Sequence, residues 1–215
     1  MVHDSWEQGQ HVTVIAPTGG GKSVLAVKGL LPMWEYTLTI DAKGEDKTLR
    51  QSGKKVKQYP SWQRHRDSKF WLLLPPDQPR AADISIKTLR HIFKDKGWTV
   101  YLDELRLFTD RKYLPAYQRM LPAEVERLWL YGRSRGITLV TGTQAPRWIP
   151  AAAFEQPRHF LLGRVQDDRA IKRLGEISGD VDLIRAIVPT LEPFEFLYVG
   201  PLGMGISKYP LKKGG

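Results

Sequence analysis

The stretch from His11 to Leu25, HVTVIAPTGGGKSVL, constrains the rest of the chain more than any other. Val12, Val14 and Ile15 form an apolar β-branched run that ends in Pro17, Thr18 and the glycines Gly19, Gly20 and Gly21. Lys22 and Ser23 then open a segment that reads as helix, Val24 to Leu30. In the order strand, glycine loop, helix, such residues make an anion-binding nest: glycine lets successive backbone N–H groups turn inward, and the helix N-terminus adds its dipole. Pro17 to Val24 is therefore expected to cradle the phosphates of a nucleotide, with Lys22 reaching the outer phosphates and the Ser23 hydroxyl ligating Mg²⁺. Ala16 stands where the usual G-x-x-x-x-G-K-[ST] pattern begins with Gly, a position that starts the turn and need not admit phosphate.

Periodicity along the chain continues the pattern of alternating strands and helices. Tyr36 to Ile40 alternates into Asp41 as a strand, Val56 to Tyr59 is a short strand candidate, and Lys69 to Leu74 is an apolar run suited to a strand buried on both faces. Ile86, Leu89 and Phe93 recur at helical spacing up to Gly97, and Trp98 to Leu102 is a further strand ending at Asp103-Glu104. A polar, Pro-containing stretch from Phe108 to Met120 leads into a helix from about Pro122, terminated by Gly136. Ile137 to Val140 is a strand running into Thr141-Gly-Thr-Gln144. His159 to Val165 reads as strand, Asp168 to Ile177 and Val181 to Val188 as helices, and Phe194 to Val199 with Met204 to Tyr209 as a closing hairpin. This order predicts an α/β fold, a mostly parallel sheet covered by helices on both faces, in one domain over 1–215 with a loose basic tail at 208–215.

The chain has 215 residues, no cysteine, and 33 Lys and Arg against 23 Asp and Glu, a formal charge of +10. Disulfides and thiolate metal sites are thereby excluded, and an attraction to polyanions is expected. The excess concentrates between Lys43 and Lys69, where a solvated loop and a nucleic-acid contact are both open readings. No apolar run is long enough to span a bilayer and Met1 to Gln10 lacks the pattern of a signal peptide. A soluble protein of the cytoplasm, without membrane insertion of its own, is expected.

A second group of residues says what the loop is for. Asp103, at the end of an apolar strand, can hold the water shell of a Mg²⁺ that bridges the β- and γ-phosphates. Glu104, one residue beyond, can polarise the attacking water as general base. Alone, the pair could equally cap a helix. Gln144, at the end of the neighbouring strand candidate, can touch both the γ-phosphate and that water. All of these sites lie at the carboxyl ends of strands, where ligands bind in open α/β sheets.

The combination APTGGGKS, TLTIDAKGED, TVYLDEL, GRSRGITLVTGTQAP and PRHFLLGRVQDDRAIKRL resembles the FtsK/HerA superfamily of DNA-pumping ATPases, over roughly Val12 to Ile177. The resemblance implies a RecA-like P-loop core assembled as a hexameric ring, with double-stranded DNA in the central channel and ATP between subunits. By position, Lys22 and Ser23 match the phosphate-loop residues, Asp103 and Glu104 the metal-holding and catalytic acids, and Gln144 the sensor glutamine. Arg133 matches an arginine that enters the neighbouring subunit's site, with Arg135, Arg164 and Arg169 as rivals. A planar, permanently charged guanidinium suits that task, because it stabilises the charge spread over a transferring phosphoryl group. Where many members read T-Q-R-P, this chain has Thr143-Gln144-Ala145-Pro146.

The stripped motor core resembles viral genome-packaging ATPases most closely, and the resemblance implies a capsid portal or vertex protein, or a transfer-channel protein, as a partner. A cellular or conjugative transfer motor is the alternative within the superfamily. A small-molecule kinase and a nucleotide-gated DNA-binding subunit without turnover are rivals outside it. For DNA contact the candidates are Lys54, Lys55 and Lys57 by composition, and Arg111 and Lys112 by their place in the insert after Asp103-Glu104. Trp62, Phe70 and Trp71 could stack on bases, with core packing as the competing use.

Overall fold

The computed structural model describes residues 6–59, 69–74, 80–110, 112 and 120–209. Among them the strands are β1 (Val12–Ile15), β2 (Thr37–Asp41), β3 (Lys54–Val56), β4 (Lys69–Leu73), β5 (Thr99–Leu102), β6 (Thr138–Thr143), β7 (His159–Leu162), β8 (Glu195–Gly200) and β9 (Gly203–Lys208). They form one sheet in the order β3-β4-β2-β5-β6-β1-β7-β8-β9. From β3 to β7 every neighbouring pair is parallel, while β8 and β9 are antiparallel and close the sheet as a hairpin. The α-helices are α1 (Lys22–Val24), α2 (Ala81–Asp95), α3 (Arg106–Thr109), α4 (Met120–Tyr131), α5 (Ala152–Glu155), α6 (Asp168–Ser178) and α7 (Val181–Ile187). The expected mixed fold, with its mostly parallel sheet and closing hairpin, is the observed one.

Alternation along the strands separates two apolar layers. Val12, Val14, Tyr101 and Val140 point into one, with Leu25 and Leu30 of the segment that follows the glycine loop. Leu38, Ile40, Val100, Leu102 and Leu139 point into the other, with Leu89 and Ile92 of α2 and Leu128 and Trp129 of α4. With both faces covered, the central strands are buried along their whole length, which explains their near-continuous apolar sequence.

Several boundaries differ from the sequence expectation for identifiable reasons. After α1 the helix widens into a π-helical segment, Leu25–Leu30, where an ordinary helix was expected. Gly29 within it passes the Tyr209 ring so closely that a Cβ would lie 3.0 Å away. Pairing next to β4 begins at Lys54, not at Val56, because Gly53 brings the two backbones together; a Cβ there would sit 2.3 Å from the Lys69 carbonyl carbon. Tyr59 turns inward instead, its hydroxyl donating to Asp95. Helix α4 starts at Met120, so Pro122 occupies its first turn, where its missing N–H donor costs no helical hydrogen bond.

Two buried histidines tie the amino-terminal segment to the sheet. His11 accepts the Leu139 N–H at Nδ1 (3.0 Å) and donates from Nε2 to the Trp129 carbonyl (3.1 Å). His159 donates from Nε2 to the Gln10 side chain (2.6 Å), accepts the Tyr198 hydroxyl (2.9 Å), and stacks on Trp6. Burial lowers both imidazoles from 6.5 to about 4, so each is neutral at pH 7. Among the described residues no helix is long and apolar enough to cross a membrane.

Candidate active site

The carboxyl edge of the parallel strands gathers the polar groups. Strand β1 runs into the glycine loop, β2 into Asp41 and Lys43, β5 into Asp103 and Glu104, and β6 into Gln144. The register, with Ile15 beside Thr143, Thr141 beside Leu102 and Leu102 beside Ile40, sets these ends level with one another. Because β6 lies between β1 and β5, Gln144 emerges between the loop and the acid pair. Together they line a cavity of about 560 Å³, which Thr18, Gly19, Gly21, Lys22, Ser23 and Val24 enter from the loop, and Lys43, Asp103, Glu104, Gln144 and Phe194 from its surroundings.

Within the loop, Gly19 and Gly21 have φ of +75° and +93°, a left-handed backbone that side chains resist. Gly21 is doubly required, since a Cβ would meet the Phe194 ring at 2.6 Å. Gly20 donates its N–H to the Pro17 carbonyl (3.1 Å), closing the turn. The Ala16 departure also has its explanation here: Ala16 is fully buried against Gly163, just beyond β7, where a Cβ would approach the Ala16 methyl to 2.6 Å. The glycine that close packing demands stands across the sheet, not in the loop.

Lys22 is buried and folds over the base of the loop, its Nζ donating to the carbonyls of Ala16 (2.7 Å) and Pro17 (3.0 Å). Burial lowers its pKa, against the pull of Asp103 and Glu104. Asp103 accepts the Tyr101 hydroxyl at 2.9 Å. Burial pushes the Asp103 carboxyl up, opposed by that hydrogen bond and by Lys22 and Lys43. Glu104 has φ +58°, an uncommon backbone for a non-glycine residue and a strain of the kind that concentrates at functional sites. Its carboxylate pairs with Lys43 Nζ at 3.3 Å. The Thr18 hydroxyl donates to Gln144 Oε1 at 2.8 Å, linking the loop to the end of β6.

The structure thus brings together Pro17 to Val24, Asp103, Glu104 and Gln144. It adds three groups that sequence reasoning missed. Tyr101, two residues before Asp103 and so on its face of β5, holds that carboxylate; Gly142 leaves room for the hydroxyl, since a Cβ there would lie 2.9 Å from it. Lys43 follows Asp41 at a strand end, the same signal that marked Asp103. Asp41 itself accepts the N–H groups of Lys43 and Gly44 and the Trp71 indole, and so shapes that turn. Phe194 carries no local signal at all.

Arg133 does not join this group. It is exposed in a 3-10 turn before β6, at the amino edge of the sheet, and among the described residues its side chain has no hydrogen-bond or ion-pair partner. Arg135 stacks on Phe93 at 4.2 Å and donates to its carbonyl. Arg164 and Arg169 are exposed at or beyond the end of β7, on the carboxyl edge. Lys54, Lys55 and Lys57 are exposed on the edge strand β3 and the residue after it, with Lys55 over the Trp71 ring. Lys112 is exposed and stands 6.0 Å from the Trp148 ring, while Arg111 and Trp62 lie outside the described residues. Phe70 and Trp71 are buried, as core packing requires.

Against solved structures, the chain aligns with the genome packaging NTPase B204 of Sulfolobus turreted icosahedral virus 2 in complex with AMPPCP, at TM-score 0.72 and 15% identity over 94% of this chain and 98% of that one. The chain thus has a P-loop ATPase fold. VirB4 of Thermoanaerobacter pseudethanolicus aligns at TM-score 0.68 and 11% identity, over 94% of this chain and 90% of that one. The pCW3 conjugation coupling protein TcpA, in its monomer form with ATPgS, aligns at TM-score 0.61 and 16% identity, over 93% and 59%. No family model matches the sequence, and no curated protein matches it either.

The donor set fits a phosphate-bound divalent cation. The Ser23 hydroxyl and the Asp103 carboxylate line the same cavity, together with the Thr18 hydroxyl and the carboxylates of Glu45, Asp46 and Glu104. Among the described residues no group of three His, Asp or Glu is placed to hold a metal by itself, so an ion here would take its other ligands from phosphate oxygens and water.

Proposed function

We propose that this chain is an ATP-hydrolysing motor that moves double-stranded DNA as a homo-oligomeric ring, a hexamer, in the packaging of a viral genome. The observation that carries the proposal is the convergence of the glycine loop, the acid pair and Gln144 on one cavity, while Arg133 lies exposed at the opposite edge of the sheet. Bound Mg²⁺-ATP would supply the scissile γ-phosphate and the charge that the metal neutralises. The chain's own groups do the rest. The loop N–H groups and Lys22 would hold the phosphate oxygens, and Ser23 and Asp103 would hold the metal. Glu104 accepts the proton of the attacking water at its carboxylate. The Gln144 amide, held at Oε1 by Thr18, keeps its N–H groups for the γ-phosphate or that water. Lys43, paired with Glu104, holds this carboxylate at the site.

Among the described residues no arginine lines this cavity, so the site is suited to completion by a second copy. Arg133 is exposed and lies on the far edge; Arg135 is engaged by Phe93, and Arg164 and Arg169 sit on the edge of their own site. This supports Arg133 as the group supplied in trans, which would make turnover depend on assembly. For DNA, Trp148 supports the Lys112 region: it is 46% exposed, with the Arg106 guanidinium 4.8 Å from its ring and Arg147 exposed beside it. These groups lie on the segments leaving Glu104 and Gln144, so a change at the phosphate end has a short path to the nucleic acid. A capsid portal or vertex protein would be the docking partner, in the host cytoplasm. The likeness to conjugation proteins supports a transfer motor as the second reading, and neighbouring capsid genes would decide between the two.

The test is subunit mixing. Glu104→Gln is expected to bind ATP while losing turnover by roughly a hundredfold or more. Arg133→Ala and Glu104→Ala, each inactive, are expected to regain hydrolysis when mixed, at interfaces that combine both intact groups. No recovery at any mixing ratio would remove Arg133 from the site.

A further inference from the structure

We infer that Phe194 is the platform on which the base of the bound nucleotide stacks; this rests on the nucleotide-hydrolysis reading above and names the base subsite of the same cavity. The order of strands separates the two ends of that cavity. Lys43, Asp103 and Glu104 follow β2 and β5, on one side of the loop, whereas Phe194 precedes β8, on the other. Lys22, Glu104 and Gln144 mark the outer-phosphate end, so the remainder of a nucleotide extends past Val24 toward β8. There the cavity changes character, because Val24 and Phe194 are its lining residues with apolar side chains apart from the methyl of Thr18.

Phe194 is held for this role. Its φ of +68° is an outlier for a bulky residue, a strained conformation that persists only where its surroundings impose it. Two backbone hydrogen bonds do so: Phe194 N–H to the Gly20 carbonyl (3.4 Å), and Tyr209 N–H to the Phe194 carbonyl (2.9 Å). The ring rests its edge on Gly21, where a Cβ would collide with Cδ1 and Cε1, and it remains half-buried. An aromatic ring fixed over a glycine of the phosphate loop, at the apolar end of the cavity, matches the flat face of a base. Such a surface reads stacking area and not hydrogen-bonding edges, so adenine and guanine nucleotides should bind alike.

The experiment compares calorimetric binding of ATP, GTP and inorganic tripolyphosphate, each with Mg²⁺, to the full chain and its variants. Wild type should bind both nucleotides more tightly than tripolyphosphate. Phe194→Ala should weaken ATP and GTP roughly tenfold, within the range of a lost base–aromatic stack, and leave tripolyphosphate unchanged. Phe194→Trp should keep nucleotide affinity. If Phe194→Ala loses tripolyphosphate as strongly as ATP, the ring merely braces Gly21 and the platform is overturned. Wild type that binds tripolyphosphate as tightly as ATP overturns the platform while leaving the phosphate site standing. Wild type that binds neither removes the nucleotide reading and the platform with it.

Discussion

Replacing Gly163 with alanine should strain the entry of the phosphate loop without touching any group that acts on phosphate. The new Cβ would lie 2.6 Å from the Ala16 methyl, and 3.5 Å from both the Ala16 Cα and the Ile15 carbonyl oxygen. Ile15 and Ala16 carry the chain from β1 into the loop and are fully buried, so relief requires the backbone of β1 or of the residue after β7 to shift. Overpacking of this kind costs about 1–3 kcal/mol. Ala16→Gly alone should cost about 1 kcal/mol, from one lost buried methyl and added chain entropy. The double variant, Ala16→Gly with Gly163→Ala, should recover most of the strain, because each position then has what the other had. Urea denaturation of wild type, both single variants and the double variant gives the coupling energy, expected at about 1 kcal/mol or more in favour of the double variant. Strict additivity, or a Gly163→Ala variant as stable as wild type, would refute the account of why Ala16 is tolerated.

Three further outcomes are expected. Asp103→Asn should abolish turnover yet raise thermal stability at pH 7: burial raises this carboxyl above its ordinary value, so its ionised form costs stability once pH exceeds the unfolded carboxyl's pKa, and the gain should vanish in acid, where both states are protonated. Stability should fall as pH drops from 6.5 toward 4, where unfolded His11 and His159 take up protons that the folded imidazoles do not; for His11 a pKa lowered to about 4 corresponds to about 3 kcal/mol across that window, so His11→Gln should remove that share from acid-unfolding curves and leave the part due to His159. Lys112→Gln should weaken duplex DNA binding and lower the slope of log affinity against log salt by about 1, measured by anisotropy; an unchanged slope would take Lys112 off the phosphate backbone.

What the sequence shows and what it hides divide along physical lines. The loop, the acid pair and Gln144 are visible because each depends on a short run of residues at a strand end, where glycine, charge and apolar alternation coincide. The order of the strands is not visible, and with it the fact that β6 sets Gln144 between the loop and the acids. Tyr101 could have been found, since period-two alternation puts it on the face of Asp103; it reads as core until Gly142 is seen to make room for its hydroxyl. Gly163 and Phe194 lie far from the loop in sequence and meet it only through β7 and the segment before β8, so no local pattern announces either. The lysines at 54, 55 and 57 show the opposite failure. Their charge is conspicuous in composition, yet exposed lysine on an edge strand also serves to discourage pairing with another chain, a use that composition alone cannot separate from nucleic-acid contact.

The central claim is that this site hydrolyses ATP and that the hydrolysis is coupled to DNA. Phosphate release from ATP by the full chain, measured with and without duplex DNA and beside Glu104→Gln, addresses it most directly. The account predicts turnover that rises on adding duplex and is lost in Glu104→Gln at every DNA concentration. Hydrolysis indifferent to duplex DNA, or retained in full by Glu104→Gln, would contradict it.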